Sequence, residues 1–213
     1  MDGYGQEILY ERLFSNALNR LHLENRYYPT GGAANFSLMY LLLRSVTELP
    51  VRRVVELGCG QSTLLLDAVR QLRHFEIVTL EHEWEWAQRI QMQVKHDITR
   101  VDLVDKVVQN RKTRVYDTDA GLDASPPDLL LVDGPQGGSR RSRWAALQWI
   151  ERGLGDDFLV LFDDAERRGE IDTIEETLSL LRSQRRTYRT RFYYGIRWQF
   201  VIAAGNFTPA THF

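Results

Sequence analysis

One eight-residue string, Glu56-Leu57-Gly58-Cys59-Gly60-Gln61-Ser62-Thr63, constrains this chain more than any other feature. It closes an apolar run at 51–57 (VRRVVEL) and opens a helical pattern over 62–72. The spacing predicts a strand, a tight glycine turn and a helix in direct succession. Glycine permits positive φ and close approach of the backbone to a ligand. The free N–H groups at the start of the helix then hold an anionic or polar group. The dinucleotide fingerprint requires glycine at the third position of G-x-G-x-x-G. Here that position is Thr63, and an acidic residue, Glu56, stands two before the first glycine. Both departures place an NAD-dependent oxidoreductase last among the readings.

The rest of the chain repeats the alternation. Further strands are predicted at 75–81, 103–109, 128–133 and 157–163, with helices at 84–94, 141–150 and 171–181. Runs such as DLLLVD and DFLVLFD are nearly continuous in Leu and Val, as in strands buried on both faces of a parallel sheet. The C-terminal pattern differs, because residues 186–193 and 197–203 alternate around Gly195 and read as an antiparallel hairpin. Ahead of the first strand lie helical patterns over 6–21 and 35–46, joined by the turn-rich YYPTGGAANF at 27–36. That segment reads either as a lid or as an ordinary connection. The expectation is an α/β, Rossmann-like fold with a mostly parallel seven-stranded sheet, a C-terminal antiparallel hairpin and helices on both faces. It is expected as one domain over 1–213, with N-terminal helices and the lid segment in 1–50 and the core in 51–213.

Composition narrows the partners. Twenty-seven Lys and Arg against 29 Asp and Glu give a formal net charge of -2, so no global charge favours nucleic acid or a membrane surface. A single cysteine, Cys59, excludes an intrachain disulfide and a cysteine-rich zinc site. Its place in the glycine turn without a placed base reads as a small filler rather than a nucleophile. The opening MDGYGQEILYERLF lacks a basic stretch followed by an apolar one, so no signal peptide is expected, and the expected location is the cytoplasm. The arginine-rich RSQRRTYRTR at 182–191 reads as a solvated helix end and edge strand, or as a patch for phosphate, an acidic sugar or RNA. Of the tryptophans, Trp84 and Trp144 are candidates for a pocket wall.

Two groups of acidic residues carry the chemistry. Glu81, about 20 residues past the glycine turn at the end of the second strand, stands where an acidic residue bonds ribose hydroxyls in this class of sheet. Asp133 ends one later strand, and Asp163 and Asp164 end the next. If those strands are neighbours, about 4.8 Å separates their ends and three carboxylates crowd one edge of the sheet. Crowded carboxylates repel and need compensation. A divalent cation provides it, and so does arginine, with Arg140, Arg141, Arg143, Arg167 and Arg168 close in sequence.

These segments together resemble a known group. ELGCGQST resembles the E-x-G-x-G-x-S-T turn, and VTLEHEWEW its V-E-H-x-x-x-W continuation. LLLVDGPQGG, SRWAAL and FDDAERRGE resemble the V-D-G-P, R-Y-x-A-L and D-D-x-x-R-x-x-E segments. In this order they occur in bacterial class I S-adenosylmethionine (SAM) O-methyltransferases and the related glucuronoxylan O-methyltransferases, and the resemblance spans about residues 28–200. It implies SAM as cofactor, contacted by Glu56, Gly58, Gly60, Ser62, Thr63, Glu81 and His82. It implies a divalent cation such as Mg on Asp133, Asp163 and Asp164, the metal-ligand places of catechol-type enzymes, and catalysis by Asp133, Asp163 and Arg143. Two departures stand out. Asp164 replaces the usual asparagine ligand, and Gln136 stands where catechol-type enzymes carry a lysine base. The expected reaction is methylation of a hydroxyl on a sugar, glycan precursor or small natural product. An N-methyltransferase without metal and a non-catalytic SAM-binding module are the competing readings.

Overall fold

A computed structural model describes residues 3–29, 34–118 and 125–213. Two helices come first, α1 (Gly3–Arg20) and α2 (Phe36–Glu48). Then follow β1 (Arg53–Leu57), α3 (Gln61–Arg70), β2 (Glu76–Glu81), α4 (Trp84–Gln91) and β3 (Ile98–Arg100). A hairpin of β4 (Leu103–Val108) and β5 (Arg111–Tyr116) precedes β6 (Leu129–Val132), α5 (Ala146–Arg152), β7 (Phe158–Phe162) and α6 (Arg168–Ser183). The chain closes with β8 (Arg189–Tyr194), β9 (Trp198–Ala204) and a 3-10 segment, Gly205–His212.

The main sheet has seven strands in the order β3-β2-β1-β6-β7-β9-β8. Five are parallel, and β9 and β8 run antiparallel at one edge. This is the Rossmann-like α/β architecture expected from the alternation. Strand side chains alternate between two cores. Val54, Leu129, Leu131 and Leu159 join α1, α2 and α3 on one face, where Phe14, Leu38 and Leu65 are buried. Val55, Leu130, Val132 and Val160 join α5 and α6 on the other, around Trp149, Ile150 and Leu181. Among the described residues no helix is long and apolar enough to cross a membrane.

The third strand differs from expectation. Residues 103–108 do form a strand, but it pairs with β5 in a separate two-stranded sheet. The main sheet takes Ile98–Arg100 instead, a three-residue edge strand too short and polar to read as one. β4 carries exposed Asp105 and Val107 between half-buried neighbours, which suits a hairpin and not a strand covered on both faces. Gln109 and Asn110 at its turn both have positive φ, 49° and 56°, the geometry of a two-residue hairpin turn.

The expected helix over 141–150 begins only at Ala146. Arg141 and Arg143 adopt φ of 50° and 56° instead. Left-handed backbone costs a non-glycine residue roughly 1–2 kcal/mol, so something must hold Arg143 there. Within the expected lid, Thr30–Ala33 lie outside the described residues.

Candidate active site

β1 and β6 are parallel neighbours, and the loops at their carboxyl ends meet through two glycines. Gly58 has φ +89°, and a Cβ there would lie 2.9 Å from the Gly134 Cα. A Cβ on Gly134 would in turn lie 2.6 Å from the Gly58 Cα. Side chains at either position would push the loops apart. Gly60 differs: a Cβ there meets nothing within 4 Å, because the residue faces an open cavity.

Behind the turn sits Glu56, fully buried. It accepts hydrogen bonds from Ser62 Oγ at 2.6 Å, Thr63 Oγ1 at 2.8 Å and Thr79 Oγ1 at 2.8 Å. Thr63 Oγ1 also accepts the Gly60 N–H at 2.8 Å. Burial raises the Glu56 carboxyl to about 7 against the pull of the three hydroxyls. Glu56, Ser62 and Thr63 therefore brace the turn from below, and none of their side chains lines the cavity.

The cavity measures about 430 Å³, within the range of small-molecule sites. Gly58, Gly60, Glu81 and His82 line it together with Asp133 and Gln136. Glu81 Oε2 accepts the Cys59 N–H at 3.1 Å, and Oε1 accepts the N–H groups of His82 and Glu83 at 2.7 and 2.8 Å. One carboxylate thus clamps the glycine turn to the start of α4. Trp86 closes the wall by donating Nε1–H to the Cys59 carbonyl at 2.7 Å. Trp84, the expected candidate, is exposed beneath Arg100, and Trp144 is buried with its indole on the Val108 carbonyl. Helix periodicity alone could not choose between Trp84 and Trp86; the choice rests on the turn carbonyl that Trp86 reaches. Burial, Glu81 and Glu56 push the Cys59 thiol up, which suits an unreactive filler.

Asp133, Asp163 and Asp164 do meet, each offering an oxygen within 4.8 Å of the others. Their charge is met by arginine. Arg143 Nη2 lies 3.0 Å from Asp133 Oδ1 and 2.7 Å from Asp164 Oδ2. Its Nη1 donates to the Asp163 carbonyl at 2.9 Å, and Nε stands 3.7 Å from the buried Glu170. These partners hold residue 143 in its left-handed backbone. Arg167 and Arg197 reach Asp164 as well, at 2.9 and 2.5 Å. Asp164, itself at φ 56°, thus carries three guanidinium groups.

Burial raises Asp133 well above the usual carboxylate range although Arg143 opposes it, and Asp163 and Asp164 add to the rise. Asp163 is pushed up to about 6 by burial and then by Asp164, with Arg143 and Gln199 pulling it down. The Asp133 side chain is 23% exposed, while those of Arg143 and Asp164 are 4% and 5% exposed. Of the three, Asp133 alone lines the cavity. Among the described residues its Oδ2 makes no hydrogen bond.

A divalent ion fits this donor set poorly. It would need oxygens that the Arg143 guanidinium already engages, and it would stand beside that buried positive charge. The metal ligands implied by the resemblance are present and close together, but Arg143 engages the carboxylates of Asp133 and Asp164 and Gln199 engages that of Asp163.

Sequence reading missed a second group of residues. Gln199 Nε2 donates to Asp163 Oδ1 at 2.9 Å and to Asn35 Oδ1 at 2.9 Å. Gln199 Oε1 accepts from Ser37 Oγ at 2.6 Å, and Asn35 Nδ2 donates to Glu7 Oε2 at 3.0 Å. Glu7 also accepts the N–H groups of Phe36 and Ile196. A buried chain thus runs from α1 through the end of the lid segment to Asp163. A glutamine inside the apolar run WQFVIAA was the available signal. The arginines of 182–191 lie exposed or half-exposed at the end of α6 and on the edge strand β8.

Comparison with known proteins bears on the family and the fold. A family model described as a methyltransferase domain matches residues 55–165, just over half of the chain. No curated protein matches it. Cofactor-bound Rv0187 from MTB is similar in structure at 19% identity, over 92% of this chain and 88% of that one, with a TM-score of 0.54. The SAH-bound methyltransferase PaMTH1 of Podospora anserina is similar at 12% identity, over 92% and 87%, with a TM-score of 0.53. A methyltransferase from Pyrococcus furiosus is similar at 11% identity, over 94% and 98%, with a TM-score of 0.51. At such identities the structures show a shared fold. With the matched family model, they place the chain: it belongs to the methyltransferase-domain family and has its class I, Rossmann-like architecture.

Proposed function

We propose that this chain transfers a methyl group from SAM to a hydroxyl of a sugar, glycan precursor or small natural product, with Asp133 as general base and arginine in place of a divalent ion. The observation that carries this reading is one cavity lined by the Gly58–Gly60 turn, Glu81 and the partly exposed Asp133. SAM when bound supplies an electrophilic methyl on a sulfonium centre. The turn has room for it at Gly60, and the Glu81 carboxylate, an acceptor at the end of β2, suits a vicinal diol.

Asp133 is equipped as a base. Arg143 fixes Oδ1, which leaves Oδ2 to take the proton of the acceptor hydroxyl. Burial lifts the proton affinity of the carboxylate, which improves a base whose working form is ionised. Arg143 opposes that rise and favours the ionised form. Alignment of the acceptor against the cavity wall supplies much of the remaining acceleration. An amine acceptor is the second reading, favoured by the same arginine compensation: a neutral amine attacks through its lone pair without a metal, and Asp133 takes the proton that the resulting ammonium sheds.

The test is transfer of labelled methyl to extracts of small glycans and natural products, with wild type and Asp133→Asn in EDTA. The variant is expected to lose about 10²–10⁴-fold in turnover and to bind S-adenosylhomocysteine as wild type does. Turnover in wild type that EDTA abolishes and Mg restores would refute the arginine reading.

A further inference from the structure

A second buried chain of polar groups runs beneath the glycine turn, and nothing in the proposed transfer uses it. Asp67 of α3, His96 between α4 and β3, Thr79 of β2 and Glu56 of β1 are each 5% exposed or less. His96 Nδ1 lies 2.8 Å from Asp67 Oδ1, which also accepts the His96 backbone N–H at 3.1 Å. His96 Nε2 lies 3.1 Å from Thr79 Oγ1, and Thr79 Oγ1 lies 2.8 Å from Glu56 Oε2. Glu56 and Thr79 are paired neighbours across β1 and β2. The Gln91 side chain pins the loop by donating to the His96 carbonyl at 2.9 Å and accepting the Ile98 N–H at 2.7 Å.

Proton counting restricts what this chain can be. Asp67 is held below the usual carboxylate range: burial raises it, but bonds from His96 and the backbone outweigh that. It is therefore ionised, and His96 Nδ1 must carry a hydrogen to face it at 2.8 Å. The Thr79 hydroxyl has one proton for two neighbours. If it donates to Glu56, then His96 Nε2 must donate to Thr79, and the ring is an imidazolium beside an ionised Glu56. If it donates to His96 Nε2, Glu56 must be the protonated partner. The two arrangements hold the same number of protons and differ by a shift along the chain. Remove that proton and one neighbour of Thr79 loses its bond, with the Glu56 charge buried and uncompensated.

We propose that Asp67, His96 and Thr79 are positioning residues that act through Glu56, so that the glycine turn holds a carboxylate-bearing cofactor well only while this relay keeps its shared proton. The proposal rests on the SAM reading for the identity of the ligand. Glu56 holds Ser62 and Thr63, the residues that open α3. A full negative charge on Glu56, without the imidazolium behind it, opposes a second carboxylate on the turn above. The titratable groups around the relay are Cys59 and Glu81 in and beside the turn, Asp133 past β6, and Tyr27 near Asp67. Cys59 and Tyr27 are both pushed up and stay neutral through the range of interest.

The test is calorimetric binding of S-adenosylhomocysteine from pH 6 to 8.5, in the Asp133→Asn background so that Asp133 does not titrate. Affinity is expected to fall by about tenfold per pH unit above a midpoint, the slope for one proton. Methylthioadenosine, which lacks the carboxylate, should show little of this slope. Glu56→Gln should bind without the pH dependence. Thr79→Val and His96→Asn each cut the link, and each should displace the midpoint by about one unit; the double variant should displace it no further. In ligand-free protein, the ¹³C shift of the Glu56 carboxyl should follow the same midpoint. A flat pH profile, or variants that lower Tm and leave the midpoint in place, would overturn the relay. Failure of any adenosyl ligand to bind would overturn the cofactor reading instead, and the Glu56 shifts in wild type against Thr79→Val would still decide the relay.

Discussion

Replacing Arg143 by methionine should destabilise the fold more than any other single change at the site, and the deficit should grow with pH. Arg143 lies 3.0 Å from Asp133, 2.7 Å from Asp164 and 3.7 Å from Glu170, and it donates to the Asp163 carbonyl at 2.9 Å. Asp164 keeps Arg167 and Arg197 in the variant, so it is not orphaned. Asp133 and Glu170 lose the cation that faces them. Breaking a buried pair by removing one partner costs about 3–5 kcal/mol. For a domain of this size that is roughly 6–20 °C in Tm. The left-handed backbone at residue 143 is common to both side chains and cancels.

The pH dependence follows from the signs. Asp133 and Asp163 already sit above their unfolded values in the native state, and loss of Arg143 lifts them further. A raised carboxylate favours folding at pH below its unfolded value, and that contribution is lost as pH rises through the folded value. Urea denaturation at pH 5.5 and 7.5 should therefore show the larger deficit at 7.5. The pair is buried, so added salt should change the result little. A deficit under about 1 kcal/mol, the scale of an exposed pair, or one equal at both pH values, would show that Arg143 is not the buried counter-ion of these carboxylates.

Two further outcomes follow from the same geometry. Because burial raises Asp133, the acid limb of kcat/KM should lie well above the usual carboxylate range, with activity lost as pH falls through it; a limb near the ordinary aspartate value of about 3.9 would contradict Asp133 as the base. Gln199→Leu removes the donor to Asp163 and to Asn35 Oδ1 and the acceptor for Ser37 Oγ, which should cost about 1–3 kcal/mol in urea denaturation; Gln199→Glu should be worse, since it adds a carboxylate facing Asp163.

The sheet was legible because its central strands are buried on both faces and read as unbroken runs of Leu and Val. The third strand was not, because Ile98–Arg100 is a short edge with no such run, while β4 satisfies itself in a local hairpin. The glycine turn was legible as a ligand-facing feature, since only glycine permits both the φ of Gly58 and the approach of Gly134. The roles within it were not. Glu56, Ser62 and Thr63 read as cofactor contacts, yet they bond one another beneath the turn, a matter of which face each side chain takes. The acidic cluster was legible because Asp133 and Asp163 end adjacent strands. Its compensation depended on the left-handed turn at Arg143, and no periodicity signals that. Gln199, Asn35 and Glu7 lie far apart in sequence and meet only when β9, α2 and α1 pack together.

Methyl transfer by this chain requires that the cavity at the Gly58–Gly60 turn hold SAM, and calorimetric titration of S-adenosylhomocysteine into wild type and Gly60→Leu measures whether it does. The backbone at Gly60 has φ of 174°, open to any residue, and a Cβ there meets no protein atom within 4 Å. The leucine should leave Tm unchanged and fill the space intended for the ligand. Wild type is expected to bind one-to-one, and the variant to lose at least a hundredfold in affinity, about 2.7 kcal/mol. Equal affinity in both proteins would contradict SAM binding at this turn.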